Sequence, residues 1–280
     1  MLVNLKEILR DTREKKYAVG LFNCVNYEMT RGILMAAEEL NSPVIIGPAQ
    51  ILLPPASLED YRDMMLGMCR RARVPVALHF DHGFDPDLVE KAISLGFSSV
   101  MYDCSMLPLE ENIRRTKAMV KKARAAGCSL EAEIGHVGSN DRSVGAKVAD
   151  TVYTDPGEAR YFAEETECDA LAVAIGTAHG VYETPPKLSF EALRKISGLC
   201  SVPLVLHGGS GLSEEDFRNC VSGGISKINI FTHNNLAAAR AAAENRTEKT
   251  GVFELMECVE QAVKRETMRH IRIFGSEGRA

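Results

Sequence analysis

The chain has 280 residues, with 33 basic against 38 acidic side chains and a net charge of −5 at pH 7, which leaves no basic surface for nucleic acid or an anionic membrane. At 45% hydrophobic and 25% charged residues it has ordinary globular composition and enough length for one large core, read as a single domain over residues 1–280. No apolar run approaches the roughly 20 residues that cross a bilayer, and the opening MLVNLKEILRDTREKK is a charged amphipathic helix without a signal-peptide core, so the expected location is the cytoplasm.

Short β-rich runs alternate with helical patterns along the chain, which predicts parallel βα units. In chain order the strands are AVGLFN (18–23), PVIIGP (43–48), PVALHFDH (75–82), SVMYDC (99–104), SLEAEIG (129–135), ALAVAIGT (170–177), PLVLHGG (203–209) and KINIFT (227–232). Eight strands at this spacing predict an α/β fold closed as a (β/α)8 TIM barrel. Helices open at Asp85, Leu109 and Ser213, each with early acidic residues and a closing glycine. After the last strand come an Ala-rich helix from Asn234 to Asn245 and an amphipathic one from Phe253 to Arg272. These exceed what closure needs, and both a subunit interface and a cover for the barrel bottom are open as their use. The eight cysteines are scattered without a CxxC pair and read as reduced, packed thiols.

Strand after strand ends in groups that a core would not choose: Asn23, His79, Asp81, His82, Asp103, Glu131, Glu133, His179, His207 and Asn229. They fall on the face where barrel active sites form. A single strand-end histidine reads as hydrogen-bonded structure; the joint placement is what points to a metal. His82, His179 and His207 follow the third, sixth and seventh strands, and three imidazoles on one rim make an open tetrahedral zinc site with a position left for substrate. His79 lies within its strand, and His136, His233 and His270 lack the matched placement; these four read as structural. In His207-Gly208-Gly209-Ser210-Gly211 the missing side chains let backbone N–H groups approach a phosphate, and Ser213 can cap the helix that follows. This loop lies beside the strand end Asn229-Ile230-Phe231-Thr232, the usual phosphate position of such barrels.

The segments FNCVN from Phe22, HFDHG from His79, MYDCS from Met101, LEAEIG from Leu130, LAVAIGTAHGVY from Leu171, PLVLHGGSGL from Pro203, KINIFT from Lys227 and the terminal FGSEGRA together resemble the class II, zinc-dependent fructose- and tagatose-bisphosphate aldolases over nearly the whole chain. The resemblance implies reversible aldol cleavage of a ketose phosphate or bisphosphate to dihydroxyacetone phosphate and an aldehyde, through a metal-stabilised enediolate. It makes His82, His179 and His207 the ligands of one Zn2+ per subunit and Asp81 the acid/base at the C4 oxygen. Asn23, Gly180, Gly208, Gly209, Ser210, Asn229 and Thr232 would hold the dihydroxyacetone phosphate portion. Asp103, Glu131 and Glu133 would serve either as auxiliary metal ligands or as hydrogen-bond partners of the ligand histidines. A monovalent cation is left open as a second cofactor, and a homodimer or homotetramer is expected. A Schiff-base route is disfavoured because GTAHG stands where the lysine would end the sixth strand, and Lys227, at the start of the eighth, is expected to face the wrong end.

Three features depart from the family pattern. The loop after the fifth strand reads Gly138-Ser139-Asn140-Asp141-Arg142 where the family has GGxED, so Asp141 stands in register for the glutamate that exchanges a proton at the nascent carbanion. Phe231 stands where fructose-specific members have an aspartate, and residues 48–55, PAQILLPP, lack the hydroxyl-rich character of that loop. Two other readings stay open at the level of sequence: a different zinc-dependent lyase, epimerase or hydrolase on the same rim, and a sugar-phosphate-binding protein with impaired catalysis.

Overall fold

The structure, a computed structural model, describes residues 1–135, 137–139, 153–179 and 186–280. In chain order it runs α1 (Leu5–Ile8), α2 (Thr12–Lys15), β1 (Val19–Asn23), α3 (Tyr27–Glu39), β2 (Val44–Gly47), a 3-10 turn (Gln50–Leu52), α4 (Leu58–Arg71), β3 (Val76–Gly83), α5 (Pro86–Ser94), β4 (Ser99–Tyr102) and α6 (Leu109–Ala125). It continues through β5 (Ser129–Ile134), β6 (Gly138–Ser139), α7 (Pro156–Thr166), β7 (Ala170–Val173), β8 (Ala178–His179), α8 (Phe190–Leu199), β9 (Leu204–Leu206), α9 (Glu214–Ser222), β10 (Ile225–Ile230), α10 (Thr232–Glu244) and α11 (Val252–Phe274). The expected barrel closes in the order β1-β10-β9-β7-β5-β4-β3-β2, while β6 and β8 form a separate two-stranded parallel sheet.

Strand alternation sorts the side chains into two populations. One set, including Phe22, Ile46, Leu78, Phe80, Val100, Leu130, Leu171, Leu206 and Ile228, packs outward under the helices. The other turns inward: Val19, Leu21, Ile45, Ala77, Ala170, Ala172 and Val205 form a smaller apolar cluster with Leu5, Ile8 and Leu9. Further along the same inward rows stand buried Asn23, His79, Asp81, Glu131, Glu133, His207, Lys227 and Asn229. The barrel is thus apolar at its floor and polar at its C-terminal mouth.

The opening segment departs from the single helix expected. Asn4 accepts from Glu7 N and caps the four residues of α1, Thr12 Oγ1 then bonds back to Leu9 O at 2.7 Å, and a left-handed Lys16 ends α2. Breaking the helix lets Leu5 and Leu9, both essentially unexposed, plug the floor of the barrel.

The two late helices differ in use. α11 packs against α3, α9 and β1, which is the position of the eighth barrel helix, and α10 packs on α11 as the additional element. Covering the bottom falls instead to α1 and α2. Among the described residues no helix is long and apolar enough to cross a membrane. Seven of the eight cysteines are buried and Cys258 is partly so, all unpaired.

Candidate active site

Strand β3 supplies two adjacent residues to the mouth, which simple alternation forbids. Its pairing with β4 shifts register between Phe80 and Gly83, and His82 takes φ +46, a conformation uncommon for a residue with a side chain. The bulge turns His82 back toward the side that Asp81 already faces. Donor atoms of Asp81, His82 and His207 consequently lie within 4.8 Å of one another.

His207, directly after β9, sets its Nδ1 2.7 Å from His82 Nε2. Each imidazole is held from behind by a carboxylate: His82 Nδ1 stands 3.1 Å from Asp103 Oδ2, and His207 Nε2 stands 2.9 Å from Glu131 Oε1. Such backing fixes each ring. Burial opposes a charge on His82, yet the Asp81 and Asp103 charges raise its pKa to about 10, so His82 carries the proton of the hydrogen bond to His207 Nδ1. His179 is the last residue of β8, with its Cα paired to Ser139 of β6; its side chain, like all of Gly180, Asp141 and His136, lies outside the described residues.

Asp81 is fully buried and held by amides. Asn23 Nδ2 donates to its Oδ2 at 3.1 Å, and Asn229 Nδ2 approaches both its oxygens, at 3.1 and 3.2 Å. Burial alone would raise its pKa, yet the neighbouring His82 charge, His79 and Lys227 hold it well below the usual carboxylate range. The carboxylate is therefore ionised and cannot rotate freely. Glu133 behaves oppositely: burial, then the nearby Asp103 charge, pushes it up to about 8. One of its oxygens accepts from Val137 N at 3.2 Å and the other, buried, has no hydrogen-bond partner.

Lys227 corrects the expectation that it faces the wrong end. Its side chain is wholly buried inside the barrel, with Nζ 2.8 Å from Glu131 Oε2 and donating to Asn229 Oδ1 at 2.7 Å. The reason is parity: Lys227 and Asn229 are two apart on β10 and share the inward face, and the long lysine chain climbs toward the mouth. Burial works against ionised Glu131, but the Lys227 ammonium and His207 hold its pKa at about 2. The i, i+2 spacing to Asn229 was the signal in the sequence. His79 lies in the same layer, its Nδ1 2.9 Å from Ser99 Oγ and its Nε2 3.6 Å from Asp81 Oδ1, in keeping with a structural role.

Beside these groups the chain turns sharply after β9. Gly208 has φ +66, and a Cβ there would lie 2.5 Å from Ala178 O; both facts restrict the position to glycine. Ser210 is buried, and Ser213 caps α9 as expected, accepting from Asp216 N at 3.1 Å. Asn229 ends the adjacent row, and Thr232 is the first residue of α10, so the Gly208–Ser210 turn and a helix N-terminus flank the mouth together.

Residues 3–279 match the family described as class II fructose-bisphosphate aldolase. The chain belongs to that family. The fructose-bisphosphate aldolase of Geobacillus stearothermophilus is 40% identical to this aldolase over 286 residues, covering 100% of this chain and 99% of the relative. That of Staphylococcus epidermidis is 38% identical over 286 residues with the same coverage. The crystal structure of the YdjI aldolase from Escherichia coli K12 superposes with a TM-score of 0.91 at 41% identity, covering all of both chains. The aldolase is accordingly a carbon–carbon lyase of class II, and its buried Asp, Glu and His groups are of the kinds that hold a metal ion.

Proposed function

We propose that this enzyme is a zinc-dependent ketose-phosphate aldolase, reversibly cleaving its substrate to dihydroxyacetone phosphate and an aldehyde. The observation that carries the reading is the facing pair His82 Nε2 and His207 Nδ1, 2.7 Å apart, each with a carboxylate behind it. The donor set suits Zn2+: two facing imidazole nitrogens, a third imidazole from His179, and buried carboxyl groups around them, an oxygen of Glu133 having no hydrogen-bond partner; binding the ion would displace the proton that His82 carries. When bound, the ion supplies the Lewis acidity that lowers the cost of forming an enediolate.

The chain's own groups do the rest. Asp81, ionised and held by Asn23 and Asn229, takes the proton from the C4 hydroxyl in cleavage and returns it in condensation. Backbone N–H groups of Gly180, Gly208, Gly209 and Ser210, with Asn229 and Thr232, hold the phosphate portion. Asp103 and Glu131 orient the ligand histidines, and Glu133 offers a further oxygen. Asp141 exchanges the proton at the carbon released by bond cleavage. We assign one Zn2+ per subunit at the active site, a single domain, a cytoplasmic location, and a homodimeric or homotetrameric assembly. A monovalent cation would join the phosphate group. Phe231 and the 48–55 segment depart from the fructose-specific pattern, and substrate choice is expected to be unusual.

A cleavage screen of zinc-loaded protein against fructose and tagatose 1,6-bisphosphates and 1-phosphates tests the reading, with enzymatic trapping of dihydroxyacetone phosphate. Release of that product, abolished by chelation and restored by Zn2+, is expected. Its absence from every substrate, or full activity after chelation, would overturn it.

A further inference from the structure

We propose that His233, Glu266 and His270 form a second binding site for a divalent transition-metal ion, outside the barrel on the seam between α10 and α11. Donor atoms of these three side chains lie within 4.8 Å of one another. His233 comes from α10, while Glu266 and His270 stand one turn apart on α11.

The imidazole pair lies one tautomer change and a small shift from a binding arrangement. His270 Nδ1 donates to the Glu266 carbonyl at 2.9 Å, which fixes its tautomer and leaves the Nε2 lone pair as an acceptor; Glu266 Oε1 lies 3.5 Å from Nδ1, so the carboxylate would turn toward Nε2 to join an ion there. That Nε2 faces His233 Nδ1 at 3.0 Å. Two zinc–nitrogen bonds of the usual length at a tetrahedral angle place their nitrogens roughly 3.3 Å apart, so an ion needs only a slight separation of the rings. His233 would then carry its ring hydrogen on Nε2, and a backbone carbonyl behind one ligand is a common support for metal-bound histidine.

The surroundings favour neutral rings. His270 is unexposed and lies against Phe22, Phe217 and Phe274, with centroids 6.3, 5.9 and 5.6 Å away. Burial is the main reason that both imidazoles sit below their ordinary pKa, so neither need shed a charge to bind an ion near neutral pH. His233 and Glu266 are only partly buried, which gives the ion an entry path and a water in its fourth position. Arg269 holds Glu266 Oε1 at 2.9 Å, but its Nε also reaches Glu214 Oε1 at 3.3 Å, an alternative acceptor once the ion takes the carboxylate. Two nitrogens and one carboxylate select zinc, cobalt, nickel or copper over magnesium or calcium. An ion here would pin the first turn of α10, immediately after Thr232, to α11.

The test strips the full-length protein with a chelator and titrates it with Zn2+, counting bound ion after equilibrium dialysis. His233→Gln is the informative variant, because replacing the fully buried His270 would disturb the core. The parent should bind one equivalent more than His233→Gln, and Glu266→Gln should weaken that equivalent at least tenfold. His82→Ala should remove a different equivalent. Co2+ added to His82→Ala should give a visible absorption band that the added His233→Gln change removes. Equal zinc content in the parent and His233→Gln, with no change in the Co2+ band, would mean that the two rings form a hydrogen-bonded pair only, and would overturn the proposal. Because the comparison is between parent and variant, it stays decisive even if the barrel mouth holds no zinc.

Discussion

Lys227 Nζ stands 2.8 Å from Glu131 Oε2 with neither side chain exposed to solvent, so each is the other's compensation for leaving water. Removing one partner of such a pair typically costs about 3–5 kcal/mol because the other charge stays behind. Lys227→Met should lower stability by that order, and a paired Lys227→Met/Glu131→Gln variant should recover part of the loss. Denaturant titration of the singles and the double measures the coupling. A single variant within about 1 kcal/mol of the parent would show that the pair carries little.

Asp81→Ala should keep its zinc and its fold yet lose cleavage by about two to four orders of magnitude, the range for removing an acid/base group. Steady-state rates and metal analysis on one preparation check this. Parallel loss of metal and rate would instead make Asp81 a group that orients His82.

At Gly208, alanine would meet Ala178 O at 2.5 Å and would have to keep φ +66. The left-handed backbone alone costs roughly 1–2 kcal/mol, and relieving the contact moves the turn that follows His207. Gly208→Ala should therefore lower Tm and raise KM for the phosphorylated substrate. Unchanged values of both would remove the turn from phosphate binding.

Asp141→Asn should slow exchange of the C3 proton of dihydroxyacetone phosphate with solvent while zinc content stays constant. Nuclear magnetic resonance in deuterated buffer separates this exchange from carbon–carbon cleavage. Exchange at the parent rate would leave Asp141 without this role.

His270 gives a pH dependence of definite sign. Its pKa in the folded chain is lowered, chiefly by burial, from the roughly 6.5 of an unfolded histidine. Between the two values the unfolded chain binds a proton that the folded chain refuses, so stability is fully present above about 6.5 and is lost as pH falls. In the presence of a chelator, urea midpoints should drop from pH 7.5 to pH 5, and His270→Gln, less stable at both pH values because the residue is buried, should show a shallower drop from its own pH 7.5 midpoint. Equal slopes would mean that other groups set the acid sensitivity.

The barrel was legible because its strands are short apolar runs with turn residues between them, and all eight reappear with ends moved by a few residues. The polar mouth was legible because histidines and carboxylates at strand ends contradict a packed core. Two things were hidden. Period-two alternation would send Asp81 and His82 to opposite faces, and only the left-handed backbone at His82 brings them together, a feature that has no residue-type signature when the residue is not glycine. Height along β10 places Lys227 toward the floor, whereas its four-carbon stem carries the charge to Glu131 and Asn229.

The packing of α11 against α3 and β1 joins an early part of the chain to a late one, and this bears on synthesis in the cell. As the nascent chain emerges, α3 and β1 are available long before α11 exists to cover them. Until then the outward face carrying Phe22 and Ile33 remains sticky, and premature association with other chains competes with completion of the barrel. Ribosome-bound intermediates stalled before residue 252 should be better chaperone substrates than chains released with α11 in place.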